Sequence, residues 1–209
     1  MSMFSKAEAE RIAAAVTEIE KRTAGEIVVA ELPVSDDYAE VRLWYALLVG
    51  LATAALAHLL APALSVGAVL ALQFGLGLLM WLLSRVPTVL RRLLPRGRAQ
   101  RAVERAAQLA FLQYGVFRTR DRTGVLIFLS ELERRVVILG DEGIHARVQD
   151  PGWSRLIGSL VAAIKQQRAC DGVCDVITQL GAQLSQAAPI REDDTNELPN
   201  FVRGPSARS

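Results

Sequence analysis

Charge is missing from the middle of this chain: between Arg42 and Arg85 there is no Asp, Glu, Lys or Arg, and only His58 could carry a positive charge. Other scarcities narrow the chemistry. With two histidines, a Ser/His/Asp triad or a His-rich zinc site would have to be built around His145, because His58 lies inside the uncharged block. The only cysteines, Cys170 and Cys174, lie close together in "CDGVC", a poor disulfide framework that fits a reducing compartment. No P-loop and no Gly-x-Gly-x-x-Gly occurs, neither cysteine is followed by Arg at phosphatase-loop spacing, and no Asp-x-Asp pair is present. A formal net charge of +2 excludes a general polyanion binder, and without stacking aromatics near the arginines nucleic acid is not an expected partner.

What fills the uncharged block is apolar. Residues 43–84 account for most of the excess that raises mean hydropathy to +0.25. A spanning helix needs about 20 apolar residues at about 1.5 Å each, and the block is roughly twice that, so two spans fit. Pro62 supplies the break by removing a donor and crowding the preceding turn. The expected spans are residues 43–61 and 66–83, joined by a very short turn that returns both ends to one side. The flanks identify that side. Arg42 precedes the first span, and Arg85, Arg91, Arg92, Arg96, Arg98 and Arg101 follow the second, with no acid until Glu104. Such an excess marks the cytoplasmic face, and Trp44, Tyr45 and Trp81 suit its aromatic belt. The N-terminus has no apolar h-region, so no secretory signal is expected. The expected location is therefore the inner (plasma) membrane, multi-pass, with the soluble domain and both termini in the cytoplasm. Residues 85–101, where Leu90, Leu93 and Leu94 interleave with arginines, read as an interfacial segment on anionic lipid.

Outside the block the pattern is that of one α/β domain in two pieces, residues 4–42 and 85–188. "SKAE" at Ser5 is a capping box opening a helix to about Arg22, with Ile12, Val16 and Ile19 on its apolar face. "GEIVVAEL" reads as a first strand; "GVLIFLS" and "RRVVILG", separated by "ELE", read as an antiparallel hairpin. A helix spans Ala99 to Tyr114 and ends at Gly115. Asp150 and Pro151 start a further helix, and Asp171 is expected to cap the last one. Residues 189–209 read as a polar tail with little independent structure. Strand one and strand two, connected through a helix, should be parallel, with strand three antiparallel. The fold class is thus α/β, a small mixed β-sheet flanked by helices and interrupted by a two-helix transmembrane hairpin.

The stretches "TAGEIVVAELPVSDDY", "RTRDRTGVLIFLSELERRVVILGDEGI" and "DDTNELP" resemble the TPM domain family, in the branch where apolar spans follow the first strand. The resemblance implies either a partner- or cation-binding module in membrane-protein maintenance or a divalent-metal-dependent phosphatase, with Ca or Mg as the implied ion. The order of the strands brings the loop holding Asp121 and the loop holding Asp141 and Glu142 to the same sheet edge, where the three carboxylates could ligate a hard cation. An alternative stays open. Asp141 caps the turn there, while Arg118, Arg120 and Arg122 neutralise the acids. Family members with the clearest metal pattern carry Asp-Asn-Gly before strand two, whereas this chain has Asp121, Arg122, Thr123, Gly124. No catalytic residue is assigned. Asp36 and Asp37 in "SDDY" form a turn, or else a second acidic group at the opposite edge.

Overall fold

The computed structural model describes residues 3–145, 150–190 and 198–204. In chain order the elements are α1 (Lys6–Glu20), β1 (Ile27–Leu32), α2 (Ala39–Leu60), α3 (Val66–Leu83), α4 (Pro87–Leu93), α5 (Arg96–Gln113), β2 (Val125–Ser130), β3 (Arg135–Gly140), α6 (Glu142–His145), α7 (Asp150–Lys165), α8 (Ala169–Ala187) and β4 (Phe201–Arg203), with a 3-10 turn at Val116–Arg118. They form two compact units, one from residues 1–36 and 100–209 and one from residues 37–99.

The first unit is built on a sheet of order β3-β2-β1-β4. β1 runs parallel to β2, Ile27 opposite Val125 through Leu32 opposite Ser130, and β3 returns antiparallel to β2. Both strand relations match the expectation from the sequence. β2 is buried along its whole length, as its uninterrupted run of Val, Leu, Ile and Phe requires of a central strand covered on both faces. Ile27 and Val29 point to one face, where α1, α7 and α8 supply Ile12, Val16, Leu156, Leu160, Ile177 and Leu180. Val28 and Ala30 point to the other, against Val103, Ala107 and Ala110 of α5. The small side chains on that face let the helix approach the strands closely. At the start of α1 the capping box is complete: the Ser5 hydroxyl accepts from the Glu8 N–H at 3.2 Å, and the Glu8 carboxylate accepts from the Ser5 N–H at 2.8 Å. Those Ser5 bonds hold the Glu8 carboxyl below the usual carboxylate range.

Two expectations change at the chain's C-terminal end. Asp171 does not cap α8; Arg168 occupies that position without a side-chain bond, and Asp171 lies in the first turn, paired with Arg11 at 2.8 Å. A carboxylate in a first turn complements the helix dipole without having to cap it. The C-terminal segment, expected to have little independent structure, contributes β4, with Val29, Ala30 and Glu31 of β1 opposite Phe201, Val202 and Arg203. Three residues are too short for period-two patterning to reveal a strand. Only Leu198 and Pro199 of "DDTNELP" fall among the described residues. Asp150 opens α7, as expected, but its side chain, and with it the expected cap, lies outside the described part.

The second unit contains a helical hairpin. α2 and α3 pack antiparallel: a β-carbon on Gly50 would meet the Gln73 carbonyl oxygen at 3.2 Å, and one on Gly77 would meet that of Ala46 at 3.1 Å. Small residues at such crossings let two helices in an apolar setting touch through their backbones. The helices hold 22 and 18 residues, roughly 33 and 27 Å at the usual rise, long and apolar enough to cross a bilayer. α2 ends at Leu60, just before Pro62, and Ser65 opens α3 by accepting from the Ala68 N–H at 3.3 Å. Pro87 stands at the N-terminus of α4, and Pro95 separates α4 from α5 by holding Leu94 extended at ψ 118°.

Candidate functional site

The carboxylate corner is assembled from two loops at one sheet edge, before β2 and after β3. The first is a tight turn, in which the Thr119 carbonyl accepts from the Arg122 N–H at 3.1 Å and the Thr119 hydroxyl from the Thr123 N–H at 3.0 Å. The second is tied to it twice: the Asp141 N–H donates to the Gly124 carbonyl at 2.8 Å, and the Gly143 N–H to the Arg122 carbonyl at 3.1 Å. Glycine is required at 143, where a β-carbon would stand 2.7 Å from the carbonyl oxygens of Asp121 and Arg122. The convergence expected from strand order is therefore present.

Two carboxylates, those of Asp141 and Glu142, meet there on one guanidinium, that of Arg122. Asp141 is buried, and its Oδ1 accepts from the Glu142 N–H at 2.8 Å. Its Oδ2 accepts no hydrogen bond, yet Arg122 Nε stands 3.1 Å away, so the contact is charge on charge rather than an aligned bond. The same guanidinium reaches Glu142 through Nη2 at 3.6 Å, although Glu142 is 88% exposed. Asp121 turns its carbonyl oxygen toward Gly143. Among the described residues no group of three or more His, Cys, Asp or Glu side chains is placed to hold a metal ion. The donor set at this corner consequently does not fit a divalent cation while Arg122 sits between the acids. Arg122 bridges Asp141 and Glu142, while Arg118 lies over the Phe117 ring at 5.6 Å.

Sequence reasoning missed a second cluster, at the opposite ends of β1 and β2. The Ser130 hydroxyl donates to Glu133, Glu133 accepts from the Ser35 N–H at 3.0 Å, and the two serine hydroxyls are 2.7 Å apart. Beside it opens a crevice of about 360 Å³, walled by Leu32, Ser35, Asp36, Arg105, Leu109 and Tyr114. This is where ligands enter open α/β sheets, outside the carboxyl ends of parallel strands. Burial pushes the Tyr114 phenol up. Asp36 lines the crevice, and Asp37 accepts from the Ala39 N–H at 3.1 Å. No motif marks the cluster, because its members come from a loop, a strand end and a hairpin turn.

Cys170 and Cys174 lie one turn apart on α8, and neither is in a disulfide. Burial, reinforced by the neighbouring sulfur, pushes the Cys174 thiol up to about 11, and burial raises Cys170 as well. The thiolate is the nucleophile, and at pH 8 a thiol with such a pKa is ionised in about one molecule per thousand. Alkylation of Cys174 in the native chain by iodoacetamide at pH 8 is accordingly expected to run on the order of 100-fold slower than that of an unfolded-chain thiol. Mass spectrometry of timed aliquots, with a sample in denaturant as the fast reference, checks this. Labelling of Cys174 at the denatured rate would mean that the thiol is not shielded.

Residues 88–183 match the family model of the TPM domain. No curated protein matches the chain. Among solved structures, the chain is similar to the BA42 protein from the psychrophilic bacterium Bizionia argentinensis, determined by NMR, with a TM-score of 0.59 and 21% identity over 96% of this chain and 95% of that one. At that identity the likeness shows the fold alone.

Proposed function

We propose that the chain, whose residues 88–183 match the TPM domain model, is a membrane-anchored domain, multi-pass in the inner (plasma) membrane, with the domain and both termini in the cytoplasm. Its role there is to bind a membrane-protein partner in the maintenance of that partner. The observation that carries the anchor is α3: mean hydropathy reaches 2.1, and none of its residues is buried. A helix that is apolar all round belongs in a core or in lipid. A core helix is covered by its own protein, whereas Val66 is 76% exposed and Phe74 69%.

The arginines after α3 support the cytoplasmic side. Arg85 lies over the Trp81 ring at 4.1 Å, and Arg98 is neutralised by Glu40 at 2.6 Å. Arg91 and Arg92 of α4 meet no carboxylate among the described residues, and their charge suits anionic headgroups of the bilayer. For the partner, Leu109 and Leu112 on α5 are exposed well away from the apolar hairpin in sequence, with Arg105 on the same helix. Exposed apolar surface of this kind fits a protein partner with an apolar side chain and acidic neighbours. Metal-dependent phosphate hydrolysis, the other activity implied by the family resemblance, draws no support from a corner where a guanidinium sits between the acids.

Fractionation tests the anchor. The full chain is expected to stay in the membrane pellet through an alkaline carbonate wash, and a reporter fused at Ser65 is expected to be active only outside the cytoplasm. Release by carbonate, or cytoplasmic activity of that reporter, would overturn the reading.

A further inference from the structure

Arg122 is a long cationic side chain in a left-handed turn. Its backbone φ is +57°, a conformation that costs energy for any residue with a β-carbon and is adopted most easily by Gly or Asn. Strain of this kind persists only where the surroundings hold the residue. Both loops of the corner do so, through the bond to Thr119 and the bond from Gly143. The outcome is a guanidinium fixed between a buried carboxylate, Asp141, and its exposed neighbour, Glu142.

From this geometry we infer that Arg122 is a tethered cation that takes the place of a divalent ion, making the corner independent of metal. Three features carry the inference. Asp141 is only 5% exposed, so its charge requires a counter-charge inside the protein. Its Oδ2 is buried and accepts no hydrogen bond, which leaves a lone pair of the kind that a cation would otherwise use. The carboxylate of Glu142, a second ligand of the type hard cations take, lies 3.6 Å from the same guanidinium. A charge built into the chain cannot dissociate, so the two loops stay joined whatever the ion concentration around them.

The inference stands apart from the membrane reading and predicts a gain of function. Arg122→Asn removes the charge, tolerates the positive φ and adds an amide oxygen. The full chain in phospholipid nanodiscs is titrated with Ca²⁺, Mg²⁺ and Mn²⁺ by calorimetry, with thermal melting as a second readout. The native chain is expected to show no saturable binding up to about millimolar ion, where structural and sensor sites are already filled. Arg122→Asn should bind at least one ion at least tenfold more tightly, and adding Asp141→Asn should abolish that binding. Arg122→Lys, which keeps a charge, should stay silent, and Arg122→Gly covers the event that the Asn variant does not fold. Saturable binding to the native chain that is lost in Asp141→Asn would overturn the inference, as would a folded Arg122→Asn or Arg122→Gly chain that binds no ion.

Discussion

Gly124→Val is expected to destabilise the sheet-bearing unit by about 3 kcal/mol or more, the upper range for forcing atoms into a packed site. The reason is not backbone freedom, since the φ of Gly124 is not positive; it is space. A β-carbon at 124 would stand 2.1 Å from the Val116 carbonyl oxygen and 2.8 Å from Val116 Cγ1. The obstacle is backbone of the 3-10 turn Val116–Arg118, which cannot rotate away as a side-chain tip would. If the chain moves instead, two bonds are strained: the Gly124 carbonyl accepts the Asp141 N–H at 2.8 Å, and the next residue, Val125, donates to the Glu26 carbonyl at 2.8 Å. The substitution therefore attacks the start of β2 and the carboxylate corner together. Gly158 provides the contrast. It lies on α7 with nothing within 4 Å of an added β-carbon, so Gly158→Ala should stabilise by about 0.5–1 kcal/mol through helix propensity. Denaturant midpoints of the two variants should move in opposite directions. A Gly124→Val midpoint within error of the parent would show that the turn yields at no cost.

Much of this architecture was legible because its signals are local and repeat. The capping box at Ser5, the β-branched run of β1 and the short "ELE" connection between two apolar runs each specify an element within a few residues. The 42 residues without a charge between Arg42 and Arg85 likewise announce the hairpin. What escaped the sequence depends on contacts distant along the chain. β4 is a strand only because the edge of β1 lies open to Phe201, Val202 and Arg203. Asp171 is drawn from capping to pairing by Arg11, which α1 brings alongside α8. At the site, strand order was enough to bring the loops of Asp121 and Asp141 together. It could not tell which atoms would face inward, because that follows from the left-handed backbone of Arg122 and from a glycine at 143 with no room for a side chain.

Loss of the Arg203 charge is expected to cost about 2–3 kcal/mol, because it would strand a carboxylate inside the protein. Glu31 is buried on β1, directly opposite Arg203 in the register of β4. Its Oε2 meets Arg203 Nε at 3.3 Å, and its other oxygen accepts from the Met3 N–H. Arg203 also donates through Nη2 to the Phe4 carbonyl at 2.9 Å, so one guanidinium ties the N-terminal segment, the central strand and the C-terminal strand. Breaking a fully buried pair by removing one partner costs about 3–5 kcal/mol. The cost at this pair is lower because the Arg203 side chain is 44% exposed and therefore partly screened by water. Arg203→Gln should accordingly lower the denaturant midpoint and speed proteolysis near both chain ends, since β4 has only three residues with which to hold its place. The double variant Glu31→Gln with Arg203→Gln separates charge from shape: with no buried charge left to strand, it should recover most of the loss. A double variant as unstable as Arg203→Gln alone would mean that the arginine acts through its packing and its bond to Phe4, and that Glu31 tolerates burial without it.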